Sequence, residues 1–335
     1  MKLMMTGLDH NRSDIEIREK FSLTKEKTAK ILARLKEGGP AGGCVIISTC
    51  NRTELYASIP ADAVFGPTRT LCDMLDRDFT EYRRFFTERS DEQAIDHLCR
   101  VASGADSQIL GDDQIITQVR EALEFSRGQG CTDSYIETMF KLAIKAAKEI
   151  KTNVILKSAG IDSIPGKAIE KLKTICPPEG QNAVVIGNGQ TGRLVTELLI
   201  NEKANVTVTL REYKKGVIQV PEPAGTINYS ERYKAIENAD ILVSATTSPH
   251  YTLTCDELCK LARIPGIIID LAVPRDAEPS IGEIPGVTLL TIDEISDDGR
   301  EMPPESIAEI DAIIKTHIEQ YYRWQAFKEN LGGSL

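Results

Sequence analysis

Residues 183–199 read AVVIGNGQTGRLVTELL, and they decide the fold of the C-terminal half. AVVI is an apolar run of strand type, glycines follow at 187, 189 and 192, and LVTELL continues as a helix. Between a strand and a helix each glycine has a task. Gly187 makes the tight turn, Gly189 admits a pyrophosphate, and Gly192 lets helix and strand pack closely, while the helix N-terminal amides hold phosphate. Gly187, Asn188, Gly189, Gln190, Thr191 and Gly192 are therefore the candidate cofactor loop. The segments AVVIG, NVTVTL, ADILVSAT, GIIIDLAV and VTLLTI are apolar strands separated by helices or loops, which predicts a doubly wound parallel sheet. NVTVTL ends at Arg211, where an NAD-binding fold places its ribose-binding acid. Arg211, Lys214 and Lys215 suit a 2′-phosphate there, so NADPH is expected over NADH, with Glu212 as the contrary charge.

Upstream, Pro177-Pro178 and Glu179-Gly180 mark a domain boundary. The first 60 residues read strand, helix, strand, strand: KLMMTGL, a charged helix from Thr24 to Glu37 stopped by Gly38-Gly39-Pro40, then CVIIST and TELYAS. From Ser90 the chain turns helical, with Ser90 and Gln93 spaced as a capping box. A later helix carries Ile136, Phe140, Ala143, Ala147 and Ile150 on one face, and a shorter one runs from Gly166 to Ile175. Pro303 starts the last helix, whose stripe Ile307, Ile310, Ile314, His317, Tyr321, Trp324 is expected to pack on its own protein, a coiled-coil seam being the alternative. The fold class is α/β: an N-terminal α/β domain with a helical extension, a Rossmann domain and a long C-terminal helix. The expected boundaries are 1–155, a connecting helix and linker over 156–180, the nucleotide domain over 181–300, and the C-terminal helix over 301–335.

The chain has 335 residues, 41% hydrophobic and 27% charged, which is globular composition for two or three domains. A net charge of −10 excludes a whole-chain basic footprint for nucleic acid but leaves room for a local patch. No apolar run approaches the ~20 residues of a membrane span, and MKLMMTGLDH lacks the pattern of a signal peptide; a cytoplasmic location is expected. Eight cysteines without a CxxC pair and four histidines give no metal set. Seven of the cysteines read as small hydrophobes. The eighth, Cys50 in Ser48-Thr49-Cys50-Asn51-Arg52, sits where a buried strand ends, with Arg52 to favour a thiolate.

STCNRTELY, residues 48–56, resembles the nucleophile motif of the glutamyl-tRNA reductase family. The resemblance extends through GLDHNRSDIEIREKFSL, HLCRVASGADSQILGDDQIITQVREA, ADILVSATTSP and DLAVPRDAEP, in colinear order over about residues 3–327. It implies an NADPH-dependent reduction of glutamyl-tRNA to glutamate 1-semialdehyde, the first step of tetrapyrrole synthesis. By the same resemblance, Cys50 attacks the glutamyl ester to give an enzyme thioester, which hydride then reduces. Thr49, Asn51 and Arg52 hold the glutamate, with Arg52 matched to its side-chain carboxylate as a bidentate fork. Ser107, Gln114 and Gln118 match positions lining the same pocket. His97 matches a histidine important for activity and is expected to assist proton transfer as the thioester collapses. A downstream aminomutase receiving the semialdehyde is the implied partner. His10 and Asp270 read as structural, and Asp106 as orienting a helix.

Two departures from the family pattern stand out. The acidic-proline pair before the glutamine is Asp112-Asp113 here, adding a carboxylate beside a pocket for a carboxylate substrate. KTNVILKSAGIDSIPGKAIE also diverges, with Pro165 expected to interrupt it. The family's long connecting helix ordinarily leads into a C-terminal dimerisation domain, whereas this sequence stops at Leu335, so the usual V-shaped homodimer is not expected. A compact reductase reading mainly the acceptor end, a truncated chain and a specialised paralogue are the three explanations. The rival functions are reduction of another activated acyl group and a non-catalytic regulatory role.

Overall fold

The computed structural model describes residues 1–107, 114–154, 163–211, 220–296 and 302–332. The chain forms two units, Met1–Gly160 with Gly299–Leu335, and Ile161–Asp298.

The first unit runs β1 (Lys2–Asp9), α1 (Ile15–Phe21), α2 (Lys25–Gly38), β2 (Gly43–Ser48), β3 (Arg52–Ile59), α3 (Pro67–Met74), α4 (Phe79–Tyr82), β4 (Thr87–Ser90), α5 (Glu92–Ser103), α6 (Gln114–Gly128) and α7 (Ser134–Asn153). Its antiparallel sheet has the order β2-β3-β1-β4. All eight residues of β3 are buried, because the sheet is covered on both faces. Leu55, Ala57 and Ile59 enter the cluster formed with Phe21, Leu32 and Leu71, whereas Tyr56 joins Leu98, Phe140 and Ala143 on the other side. That two-residue alternation also fixes the side of Arg52 and Glu54, the side of α5 and α7.

Ile136, Phe140, Ala143, Ala147 and Ile150 of α7 are all fully buried, as their spacing predicts. The capping box at Ser90 does not form. Ser90 ends β4, and Asp91, at φ +49°, precedes α5 with its carboxylate accepting from the Leu3 amide at 2.9 Å. Pairing of β4 with β1 holds Ser90 in extended backbone within the ladder, so a helix entry there is excluded.

The second unit runs α8 (Ile164–Ile175), β5 (Asn182–Ile186), α9 (Gln190–Asn201), β6 (Asn205–Leu210), β7 (Gly225–Asn228), α10 (Arg232–Ile236), β8 (Ile241–Ser244), α11 (Cys255–Leu258), β9 (Ile267–Asp270), β10 (Thr288–Thr291) and α12 (Ile292–Ser296). Its sheet is parallel throughout, in the order β10-β9-β8-β5-β6-β7. The five apolar runs supply five strands. The sixth, β7, is the short GTIN, too polar to be signalled by pattern. Pro165 does not interrupt a helix; it stands in the first turn of α8, where a proline costs no hydrogen bond, and Ser163 caps the Gly166 amide at 3.2 Å. Within the expected connection, α8 belongs to this unit, burying Ala168, Ile169 and Leu172 in one cluster with Val195 and Leu199.

The chain then returns to the first unit as α13 (Pro304–Gly332), which packs on α5 and α7. Ile310, Ile314, His317 and Tyr321 of the expected stripe are buried, so the stripe packs on its own protein; Ile307 is 40% exposed and lies beyond the contact. Each buried isoleucine there contributes about 1.5–3 kcal/mol. Among the described residues, no helix is long and apolar enough to cross a membrane.

Candidate active site

Cys50 stands in the three-residue turn between β2 and β3, half-buried, with the paired strands as a rigid support. Hydrogen bonds from its own residues, from His10 just after β1 and from α1 fix the turn. The Thr49 amide donates to the Arg52 carbonyl at 2.9 Å and the Asn51 amide to Thr49 Oγ1 at 3.2 Å. The His10 amide donates to the Asn51 carbonyl at 3.0 Å. Arg18, from α1 and only 3% exposed, donates from Nε to the Cys50 carbonyl at 3.4 Å and from Nη1 to the Ser13 carbonyl at 2.7 Å. Among the described residues, the buried Asn51 Oδ1 atom has no hydrogen-bond partner.

Behind the turn, β3 and α5 build a buried polar network. Arg52 Nη1 donates to Glu54 Oε1 at 2.8 Å, and Nη2 donates to the Asp106 carbonyl at 2.5 Å. The Tyr56 hydroxyl donates to Glu54 Oε2 at 2.8 Å, and His97 Nε2 lies 2.9 Å from Glu54 Oε1. On the far side of the imidazole, Nδ1 is 3.5 Å from Asp106 Oδ2. Glu54 is 1% exposed and His97 3%.

The electrostatics follow from this packing. Burial opposes the charge on Glu54, but the cations of His97 and Arg52 and the bonds from His97 and Tyr56 overcome it, holding the carboxyl well below its usual range. Burial likewise works against the His97 cation, and the Glu54 charge with the bonds to Asp106 and Glu54 raises its pKa above the ordinary imidazole value. Asp106, opposed by burial, is lowered by its bond to and charge attraction for His97 and by Arg52. With a carboxylate at each ring nitrogen, the surroundings of His97 favour the imidazolium form over the neutral ring. Burial and the Glu54 charge push the Tyr56 phenol up, so it stays protonated and donates.

The expected site residues divide. Thr49 and Asn51 flank Cys50 directly, Arg52 opens β3 two residues on with its guanidinium on Glu54, and His97 joins through Glu54. Gln118, on α6, and Thr49 line one groove of about 440 Å³ along β2, between α2 and α6; Gln114 opens that helix one turn earlier. Ser107 follows α5, its amide on the Gly104 carbonyl at 3.3 Å. Asp112 and Asp113 lie outside the described residues. Asp106 does more than orient a helix: its carbonyl and carboxylate close the network over Arg52 and His97. Sequence reasoning passed over Glu54, Tyr56 and Arg18. For the first two the signal was present, since Arg52, Glu54 and Tyr56 alternate within STCNRTELY on one strand face.

In the second unit, the nucleotide loop joins β5 to α9. Gly187 has φ +106°, and a Cβ there would lie 2.5 Å from the Ala245 carbonyl oxygen. A Cβ on Gly192 would collide with the Gly187 carbonyl. Among the described residues, a Cβ on Gly189 would meet nothing within 4 Å, which leaves the open approach that a pyrophosphate needs. Gly189 caps α9 with no side-chain hydrogen bond, and the first turn of that helix, Gln190, Thr191 and Gly192, is the kind of helix N-terminus that receives phosphate. Asn188 lies between the first two glycines, half-buried. Arg211, at the end of β6, stacks over the Tyr229 ring at 4.4 Å; Lys214 and Lys215 lie outside the described residues. Residues and open space fit a dinucleotide.

Comparison with known proteins agrees in both units. Residues 6–154 match the family described as glutamyl-tRNAGlu reductase, N-terminal domain, and residues 170–297 the family described as shikimate / quinate 5-dehydrogenase. The second unit is thus a nucleotide-binding domain of the dehydrogenase type, of the NAD(P) class. A protein named glutamyl-tRNA reductase from Alkaliphilus oremlandii is 40% identical over 333 residues, covering 99% of each chain. One of the same name from Acetivibrio thermocellus is 40% identical over 332 residues, again with 99% of each chain covered. The solved structure of glutamyl-tRNA reductase from Methanopyrus kandleri superposes with a TM-score of 0.50 at 25% identity, covering 96% of this chain and 80% of that one. The chain belongs to the glutamyl-tRNA reductase family.

Proposed function

We propose that the chain reduces glutamyl-tRNA to glutamate 1-semialdehyde with NADPH, through a thioester on Cys50. One observation carries the reading: a half-buried cysteine on a strand turn, followed at alternating positions by Arg52 and Glu54, of which Glu54 bonds both Arg52 and the buried His97. The Cys50 thiolate attacks the ester carbonyl carbon, the carbon–oxygen bond to the tRNA ribose breaks, and the ribose oxygen takes up a proton. When bound, NADPH supplies the hydride that reduces the acyl group. His97 supplies the proton that balances this step as the carbon–sulfur bond breaks and the thiol is restored. Glu54 and Asp106 keep that proton on the ring until it is needed.

Thr49, Asn51, Ser107, Asp112, Asp113, Gln114 and Gln118 are assigned to glutamate binding. Arg52 uses two of its five N–H groups on Glu54 and the Asp106 carbonyl, so it can grip the substrate carboxylate through the others while these bonds hold it in place. For the cofactor, Gly187, Asn188, Gly189, Gln190, Thr191 and Gly192 are assigned to the pyrophosphate, and Arg211, Lys214 and Lys215 to the 2′-phosphate that distinguishes NADPH. The reaction is placed in the cytoplasm, and an aminomutase consumes the semialdehyde. The test is single turnover of glutamyl-tRNA with and without NADPH: a trapped thioester without it and semialdehyde with it support the reading, and an intact ester in both refutes it.

A further inference from the structure

Asp276 is wholly buried and lies six residues beyond the end of β9. Its carboxylate is held by Ser244 and Thr246 at the end of β8, with the Thr252 hydroxyl adding to them. Oδ2 accepts from Ser244 Oγ at 2.7 Å and from the Thr246 amide at 2.8 Å, and Oδ1 accepts from Thr246 Oγ1 at 2.6 Å. Its backbone carbonyl accepts the amides of Thr252 at 2.7 Å and Leu253 at 2.9 Å. One residue therefore pins both ends of the loop that leaves β8. Thr246 Oγ1 passes the order inward, accepting from the Ser248 amide at 3.1 Å.

That loop forms one lip of the cofactor crevice. The strand order reverses between β5 and β8: β6 and β7 extend to one side, and β9 and β10 to the other. In doubly wound sheets, ligands bind outside the carboxyl ends of the strands at such a switch point. Ile186 ends β5 opposite Ser244, which ends β8. The next residue on one side is Gly187. A Cβ there would lie 2.5 Å from the Ala245 oxygen and 3.2 Å from Thr246 Cγ2. The first glycine of the nucleotide loop thus rests on the segment that Asp276 anchors.

We propose that Asp276 is a positioning residue of the cofactor site, setting through Ser244 and Thr246 the lip against which the Gly187–Gly192 loop is seated. The inference deepens the NADPH reading and rests on it. Loss of the carboxylate leaves the glycine loop its own sequence but removes the surface that holds it in register. The effect is on cofactor affinity, while the chemistry of Cys50, which needs no cofactor, is untouched.

The experiment measures NADPH affinity by its fluorescence, with NADPH-free cleavage of glutamyl-tRNA as internal control, on wild type, Asp276→Asn and Thr246→Val. Asp276→Asn keeps the shape and loses an acceptor for Ser244 or Thr246, so NADPH binding weakens about tenfold or more. Thr246→Val is isosteric, keeps the backbone bond and weakens binding less; combined with Asp276→Asn it adds little, since both remove one contact. Ester cleavage stays at the wild-type rate in each. Unchanged NADPH affinity in Thr246→Val, or parallel loss of binding and ester cleavage in that variant, overturns the proposal; Thr246→Val decides should Asp276→Asn fail to fold. Failure of wild type itself to bind NADPH overturns the cofactor reading and this inference with it, whereas tight wild-type binding with indifferent variants removes this inference alone.

Discussion

His97 Nε2 lies 2.9 Å from Glu54 Oε1, and both side chains are almost wholly buried. The pair sets the protonation of the imidazole, because burial alone would drive it neutral.

Replacement of Glu54 by Gln removes the charge that most raises the His97 pKa and leaves the Arg52 cation buried without its partner. The alkaline limb of the rate of thioester reduction should move to lower pH, toward or below about 6.5, the ordinary imidazole value. Stability should fall by about 3–5 kcal/mol, the cost of breaking a buried ion pair from one side. Single-turnover rates from pH 5 to 9 check the first expectation; an unmoved limb shows that Glu54 does not control the proton.

Arg18 should matter although it lies 32 residues from Cys50 in sequence. Its Nε donates to the Cys50 carbonyl, and its guanidinium brings positive charge to the turn. Arg18→Lys cannot span both Cys50 and Ser13. It should loosen the turn and slow alkylation of Cys50 by iodoacetamide at neutral pH several-fold, with NADPH affinity unchanged.

The glycines of the nucleotide loop should separate binding from stability. Gly189→Ala meets no atom of the described residues within 4 Å, so the melting temperature should hold while NADPH binding is lost. Gly187→Ala combines φ +106° with a clash on Ala245, and should cost about 1–3 kcal/mol of stability. Melting curves with and without NADPH distinguish the two.

How much was legible beforehand depends on where the signal resides. Three glycines between an apolar run and a helix announce a nucleotide loop, since backbone conformation and close approach demand glycine there. The stripe of α7 likewise follows from period alone. By contrast, β7 is four residues of GTIN and is a strand because β6 offers it an edge, a tertiary cause invisible in composition. Glu54 was hidden differently. Taken as one of many surface carboxylates it is unremarkable, and only burial of both faces of β3 makes it the hub of a network. The Asp91 entry to α5 overrode the capping box because β4 claimed Ser90 first.

Asp270 gives a pH dependence in the second unit. Burial pushes its carboxyl up to about 7, although the Ala277 and Ala272 amides donate to it. The folded state then holds a proton that the unfolded chain, with a carboxyl near about 3.9, has released. Its contribution to stability is therefore fully present below about pH 4 and is lost as pH rises toward about 7, by no more than about 4 kcal/mol. Hydrogen-exchange protection of β9, corrected for intrinsic rates, should fall between pH 5 and pH 8. In Asp270→Asn that dependence should flatten.

The central claim is a covalent glutamyl thioester on Cys50, and the direct measurement is mass spectrometry of the protein after incubation with glutamyl-tRNA in the absence of NADPH. The account predicts one glutamyl adduct on the peptide carrying Cys50, absent in Cys50→Ala and discharged as semialdehyde when NADPH is added. Substantial semialdehyde production by Cys50→Ala would contradict it.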